Sequence, residues 1–473
     1  MPVPRPAPAA SERSTRRAFR RSVLRIAVPA MLQQLITSFV NLLDNLMVGQ
    51  LSTHAIAAVA AANRFFVIGF FAVVGITSAA AIYIAQFHGA DNVEGERQSF
   101  RYMLLSSWVV FLPFFFAAQL FPRQIIGFFN HDPGLVQPAL DYIPIAALSF
   151  LPQLVSYSCQ NSMRALGHTR LPLVITMSTV FMNALWNWIL IFGHLGFPAL
   201  GVMGAALGTL IARLVELAVT LLAMRLNHFS FSTRVRDLFH LRLTLVRAIT
   251  RRGLPLCLNE IGYFFGIALL FRFYATRGTD TMAALTISGT TSDLFSVLFG
   301  GMAAATTVIV SQPLGRGHLE EARSNAYRIQ RFSTQLALLF GVMLFGASFI
   351  TPQLYNVEPH VRELATQLIR IVSIMYWIYM ANSQTFYILR AGGDTRSTLI
   401  LDTGYMFTVN ISVVAAVTYL TEAPIQLLYT IGQLTDLFKL LLSRRFLRRE
   451  TWIRNLAAEH EDVKTLEPAV ADE

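Results

Sequence analysis

Twelve stretches of the chain are apolar over lengths that can cross a membrane, and short polar segments rich in arginine separate them. About 20 apolar residues form a helix that spans the hydrocarbon core of a bilayer. The pattern therefore predicts an all-α integral membrane protein with twelve transmembrane helices. We expect these helices near residues 23–51, 54–87, 100–121, 136–163, 171–194, 202–225, 247–275, 279–312, 327–350, 363–389, 397–420 and 424–446.

The two halves of the chain repeat at a constant offset of 226 residues, since Pro29 recurs as Pro255 and the segment Met163–Arg170 recurs as Leu389–Arg396. Six helices in each half form an even number, so both halves cross the membrane in the same orientation. The repeat predicts two pseudo-symmetric six-helix lobes, and transporters built from such repeats place their substrate site between or within the lobes.

The basic residues predict the orientation, because cytoplasmic loops carry an excess of lysine and arginine. Most of the 38 basic residues fall on the side that holds both termini, which we therefore expect to be cytoplasmic. Residues 1–20 are rich in proline, alanine and arginine and are predicted to be disordered. The expected division is a basic tail at 1–22, an N-lobe at 23–225, an inter-lobe loop at 226–246, a C-lobe at 247–446 and a polar tail at 447–473.

Composition limits the classes of function that are possible. Of 473 residues, 54% are hydrophobic and 14% are charged, whereas soluble domains carry about 25% charged residues. The net charge of +11 lies in short runs between apolar segments, which fits membrane topology better than nucleic-acid binding. Cys159 and Cys257 lie in apolar segments and have no zinc-site spacing. We expect neither a metal nor a cofactor.

One residue in the first apolar stretch is out of place in hydrocarbon, namely Asp44. An ionised side chain at the middle of a membrane helix costs roughly 2.5–3.5 kcal/mol and marks a functional site by default. Asn41 lies on the same helical face and Asn45 on an adjacent one. We interpret Asp44 as the proton or cation switch of a transporter, in the outer half of the membrane.

For other polar residues in apolar stretches, helical spacing predicts which side chains face each other. Asn183 and Asn187 are one turn apart and can face one point. Asp293 lies midway along the eighth stretch, where Arg64 or Arg272 could pair with it. Two further acid–base combinations at a spacing of three residues are expected to be local ion pairs: Arg213 with Glu216, and Asp436 with Lys439.

At the repeated loops RALGHTR (164–170) and RAGGDTR (390–396), the chain resembles the MATE family of multidrug and toxic compound extrusion proteins, of the bacterial NorM and DinF types. The stretches 44–49 and 183–187 extend the resemblance. It implies a V-shaped pair of lobes around a central cavity, in the bacterial inner membrane. It also implies export of small organic cations in exchange for inward H⁺ or Na⁺. We expect a monomer in the lipid bilayer, without nucleic-acid partners or enzymatic activity.

The resemblance also assigns residues in the N-lobe. Asp44 matches the acid of the family's first helix, and Pro29 matches the proline at which that helix bends. Asn183 and Asn187 match a polar pair on the fifth helix, and Thr209 a hydroxyl on the sixth. Together these four polar residues are the predicted cation or proton site, with Pro29 as a hinge.

The C-lobe matches the family less completely. Glu260 matches the acid of the seventh helix and, with Asp293, is a candidate for coupling or for substrate charge. The tenth helix departs from the family pattern, because Tyr379 stands where NorM-type members carry an aspartate. Among the apolar and aromatic residues, Met31, Met47 and Tyr157 are expected to line a drug cavity.

Three other functions would each require a different pattern in the sequence. A flippase for a lipid-linked or amphiphilic substrate would share the fold, but it would line its cavity with many cations, and the arginines expected inside the membrane are Arg64 and Arg213. An intramembrane enzyme would need a catalytic constellation, and a channel would need a selectivity filter; neither pattern is recognisable in the sequence.

Overall fold

The structure, a computed structural model, describes residues 9–129 and 133–460. Twelve long helices make up most of this part of the chain, and it contains no strand. In chain order they are α1 Ala9–Gly49, α2 Thr53–Gly89, α3 Val93–Leu120, α4 Val136–Ala165, α5 Arg170–Phe192, α6 Gly201–Asn227, α7 Leu243–Ala275, α8 Thr279–Phe295 with Val297–Gly315, α9 Leu319–Ala347, α10 Pro359–Ala391, α11 Thr395–Leu420 and α12 Ile425–Arg449.

The helices confirm the predicted all-α membrane architecture with two lobes. Within the described residues, α1 to α11 are long and apolar enough to span a bilayer. The helix α12 is of spanning length, and it carries Asp436, Lys439 and a basic end. A short amphipathic helix, Pro122–Phe129, follows α3, and single 3₁₀ turns lie at Pro133–Leu135, Val235–Asp237 and Thr351–Leu354.

The predicted disorder of the N-terminal segment needs correction. The helix α1 begins at Ala9, so from there on the segment expected to be a disordered tail is helical and continuous with the membrane span. Arginine and alanine favour a helix, which explains the extension. At the other end α12 continues to Arg449, and the chain after it packs onto the bundle. Residues 1–8 and 461–473 lie outside the described residues.

Two helices of the C-lobe are irregular in ways that the sequence did not predict. The helix α8 is interrupted at Ser296, between its two segments. The helix α11 contains π-helical turns at Ile400–Gly404 and Met406–Asn410. Such turns are rare and frequently occur at functional sites. In α11 they lie around Asp402, whose carboxylate faces α7 and α12.

The lobes contact each other through their first two helices. The N-lobe helix α2 packs along α7 and α8, and α1 packs along α8. Small residues permit this close approach: a Cβ atom at Gly75 would overlap the backbone of Cys257, and one at Gly301 would come within 2.8 Å of the Ala27 carbonyl oxygen. The shared interface therefore runs along α1, α2, α7 and α8.

One end of the bundle carries the loops 166–169 and 392–394, and we call it the terminal side. There the repeat forms a reciprocal contact between the lobes. The Gln86 amide donates to the Ala391 carbonyl (3.4 Å), and the Gln312 amide donates to the Ala165 carbonyl (3.2 Å). All four residues obey the 226-residue offset. The lobes are thus joined at the terminal side by symmetry-related hydrogen bonds.

The segment Thr451–His460 covers this junction. Trp452 is buried against the C-lobe core and Leu456 against the N-lobe core, so the segment contacts both lobes. The Leu456 backbone N–H donates to the Gln86 side chain (2.7 Å), and the Asn455 amide donates to the Gly315 carbonyl (3.2 Å). We call this segment the C-terminal strap.

Candidate functional site: a polar cavity beside the first helix

A cavity of about 490 Å³ lies between the lobes. The N-lobe helices α1, α2, α4, α5 and α6 form most of its wall, and α8 and α10 close the opposite side. The polar groups that line it are Gln33, Gln34, Thr37, Asp44, Ser78, Gln153, Tyr157, Gln160, Asn161, Arg164, Thr176, Thr179, Asn183, Thr209, Arg213, Glu216, Thr307, Tyr387 and Arg390.

The predicted N-lobe residues come together at one end of this cavity. The Asn187 amide donates to the Asp44 carboxylate at 2.7 Å. An atom of the Asn183 amide lies 2.7 Å from Oδ1 and 3.2 Å from Oδ2 of Asp44. A carboxylate only accepts hydrogen bonds, so this atom is the amide nitrogen. The Asn183 oxygen then faces the Thr209 hydroxyl at 3.3 Å.

Local sequence explains why these groups converge. Asn183 and Asn187 are separated by one turn of α5, so both amides lie on the same face. Gly208 lets α6 approach that face, because a Cβ at this position would overlap the Asn187 amide. The result is a carboxylate that accepts from two buried amides, which is the environment that an ionised acid requires inside a membrane.

The geometry accommodates either predicted coupling ion. A proton needs only the Asp44 carboxylate. A Na⁺ ion needs oxygen ligands, and the Asn187 oxygen is buried without a hydrogen-bond partner within the residues the structure covers. Rotation of that amide would therefore offer Na⁺ a second oxygen. Within residues 9–129 and 133–460, no group of three or more His, Cys, Asp or Glu side chains is placed to hold a metal ion.

A second polar network lines the cavity nearer the terminal side, and sequence reasoning missed it. The Gln33 amide donates to Gln160 (3.1 Å), and the Gln160 amide donates to Glu216 (2.9 Å). Arg164 donates to the Gln33 oxygen at 3.2 Å. Glu216 also forms the predicted ion pair with Arg213, at 2.7 Å. Glutamines at 33, 34 and 160 inside apolar stretches were the signal that could have revealed the network.

Arginines line the cavity to a greater extent than the sequence indicated. Arg164, Arg213 and Arg390 all lie on its wall, whereas Arg64, which was expected inside the membrane, is exposed outside it. Arg164 and Arg390 were not expected on the cavity wall, because both stand at the ends of predicted helices, where arginine usually faces water.

The candidate acids of the C-lobe do not join the Asp44 site. Glu260 pairs with Arg390 at 3.6 Å. Asp293 is exposed next to the break in α8, and no salt bridge connects it to Arg64 or Arg272 in the described chain. Tyr379 hydrogen-bonds Gln433 through its hydroxyl.

One predicted ion pair of the C-lobe is wrong. Lys439 does not pair with Asp436, three residues earlier; its ammonium lies 2.7 Å from the Asp402 carboxylate on α11. The Asn259 amide also donates to Asp402, at 3.1 Å. Asp436 instead accepts from the Asn382 amide (3.4 Å). The tertiary contact with α11 thus replaces the local pairing that the spacing suggested.

Other predicted residues are placed as follows. Pro29 lies inside an uninterrupted α1, so the described state shows no break at the expected hinge. Tyr157 lines the cavity, whereas Met31 packs against α8 and Met47 lies in the N-lobe core. The side chains of Asn41 and Asn45 lie outside those that the structure describes.

Two repeated lobes of membrane-length helices around a polar cavity define a multi-pass membrane transporter. The chain belongs to the MatE family, whose model matches residues 29–189 and 255–416, one segment in each lobe. A relative from Agrobacterium fabrum, named a probable multidrug resistance protein NorM, is 25% identical over 80% of this chain and 82% of its own length.

Solved structures share the fold. A crystal structure of a variant of the Vibrio cholerae MATE transporter VcmN superposes with a TM-score of 0.82 at 18% identity, and covers 93% of this chain and 99% of its own. An outward-facing structure of a multidrug resistance MATE family transporter gives a TM-score of 0.80 at 18% identity, over 91% of this chain and 96% of its own.

Proposed function

We propose that this protein exports amphipathic organic cations and other toxic compounds in exchange for inward H⁺ or Na⁺. The observation that carries the proposal is the Asp44 carboxylate, which two buried amides hold on the wall of a cavity large enough for a small organic molecule. Relatives named as multidrug resistance proteins support the substrate class.

The proposed cycle is alternating access, with the terminal side facing the cytoplasm. The reciprocal glutamine contacts hold the lobes together there, and the cycle assigns the opening of the cavity in this state to the outside. Asp44 takes up the coupling ion, α1 repacks with Pro29 as its hinge, and the substrate leaves. Separation of the lobes at the terminal side then releases the ion inward and admits new substrate.

A flippase is the second candidate, because three arginines line the cavity. Two of them are compensated, since Arg213 pairs with Glu216 and Arg390 with Glu260. The cavity therefore carries few uncompensated positive charges for an anionic lipid headgroup, which favours the exporter. Ethidium efflux from reconstituted vesicles would support the exporter, whereas movement of a lipid-linked glycan without dye efflux would support the flippase.

The Asn187→Ala variant is expected to lower coupled ethidium efflux by about tenfold or more. It removes a hydrogen bond to a charged group, a contact worth roughly 1.5–3 kcal/mol. Initial efflux rates in vesicles measure the effect. The Asn161→Ala variant is the control, because Asn161 lines the same cavity and has no bond to Asp44. Equal loss in both variants would contradict the assigned role of Asn187.

The Leu456→Asp variant is expected to open the terminal side, because a carboxylate cannot remain in the N-lobe core that Leu456 occupies. Spin labels at Val93→Cys and Ser324→Cys, in a background lacking Cys159 and Cys257, report the separation of the lobes. We expect a new population at longer distance. The exposed Ala458→Asp should leave the distribution unchanged; unchanged distances in both variants would show that the strap does not hold the lobes together.

A further inference from the structure

One positive charge in the cavity, that of Arg164, has no role in the proposed export of cations. Arg164 at the end of α4 and Arg390 at the end of α10 occupy equivalent positions in the repeat, and both line the cavity near the terminal side. A cation in a cavity that accepts cations should be fully compensated.

The two arginines differ in this respect. Arg390 lies 3.6 Å from the Glu260 carboxylate. Arg164 has no carboxylate within 4 Å among the residues described; it donates to the Gln33 amide oxygen and lies 6.0 Å from the centre of the Tyr157 ring. Its charge is therefore held by neutral groups alone.

The repeat shows how this difference arises. The N-lobe residue at the position of Glu260 is Gln34, which also lines the cavity. The N-lobe has thus kept the arginine of the repeat but carries an amide in place of its acid. An isosteric amide removes the compensating charge while leaving space and hydrogen-bonding groups in the cavity.

The guanidinium is also preorganised. The Gln33 nitrogen donates to both Thr176 (2.8 Å) and Gln160 (3.1 Å), which fixes the Gln33 oxygen toward Arg164. A guanidinium held in this way binds carboxylate or sulfonate groups through paired hydrogen bonds.

We propose that Arg164 is the residue of the substrate cavity that recognises an anionic group, a carboxylate or a sulfonate, on an amphiphilic substrate. Gln33 and Asp44 are eleven residues apart on α1, which corresponds to about 16 Å. A substrate anion on Arg164 therefore leaves Asp44 free for the coupling ion. The proposal rests on the proposed export function and assigns to it a residue that determines substrate specificity.

Two dyes that differ by one methyl group provide the test. Rhodamine 110 carries a free carboxylate, and rhodamine 123 is its methyl ester. Binding to the purified full-length protein is measured by fluorescence polarisation for wild type, Arg164→Gln and Gln34→Glu. The control is Arg170→Gln, which removes an exposed arginine six residues away.

We expect Arg164→Gln to weaken binding of the free acid by at least tenfold and that of the ester by less than twofold. Gln34→Glu should act in the same direction, because it supplies the missing acid, and it keeps the test valid if Arg164→Gln does not fold. Equal effects on both dyes, or none, would overturn the proposal. In Asp44→Asn the free acid should keep its dependence on Arg164, so a failure of coupled export is distinguishable from a failure of anion recognition.

Discussion

The Asp44→Asn variant is expected to fold normally and to lose gradient-driven export. The amide keeps the size of the carboxylate, but it has no negative charge with which to bind H⁺ or Na⁺. The two amides that now donate to Asp44 would have one acceptor oxygen between them. Accumulation of ethidium in cells that express the variant, beside a size-exclusion profile of the purified protein, measures both expectations.

Asp293→Asn is the matched control for this variant. It makes the same chemical change at an exposed acid outside the Asp44 site. We expect near wild-type export from Asp293→Asn and at least a hundredfold lower export from Asp44→Asn. Equal export from both variants would show that the coupling ion binds elsewhere.

The Lys439→Met variant is expected to lower the free energy of unfolding by about 3–5 kcal/mol, more than any other variant proposed. It leaves the Asp402 carboxylate without its cation. The side chains of Lys439 and Asp402 are only 16% and 18% exposed, so water cannot replace the lost partner. Asp436 lies three residues away on α12 and adds a second acid to the region. The thermal midpoint of the purified protein in detergent measures the loss.

A second substitution separates charge from packing. Asp402→Asn in the Lys439→Met background removes the uncompensated acid, and we expect most of the lost stability to return. The exposed Arg323–Glu320 pair is the control, because loss of a surface ion pair has little effect. A double variant no more stable than Lys439→Met would show that the lysine acts through packing rather than charge.

The sequence predicted the twelve helices because each buries a long apolar stretch whose ends are marked by charged or turn residues. It predicted the Asp44 cluster for a related reason: Asp44, Asn183 and Asn187 are conspicuous in apolar helices. The convergence of α1, α5 and α6 depends on Gly208, whose role appears only when the helices are packed. The cluster was therefore expected, but its hydrogen bonds were not.

Features that depend on contacts between distant segments escaped prediction. Lys439 has an acid one turn away in sequence and pairs instead with Asp402 on another helix. The strap belongs to the tail that was predicted to be polar, yet Trp452 and Leu456 are buried in two different hydrophobic clusters. Gln33 and Gln160 act as a network only because α1 and α4 bring them together. In each case the packing of distant segments determines which residues contact each other, and spacing along the chain does not predict it.

Transport in reconstituted vesicles tests whether an ion bound at Asp44 drives substrate out of the cell. Purified wild-type protein and the Asp44→Asn variant are reconstituted, and ethidium movement is followed while a pH gradient or a Na⁺ gradient is imposed separately. We predict that one of the two gradients drives ethidium against its own concentration gradient in wild type and that neither does so in the variant. Movement that follows only the ethidium gradient in both proteins would show that no ion bound at Asp44 drives export.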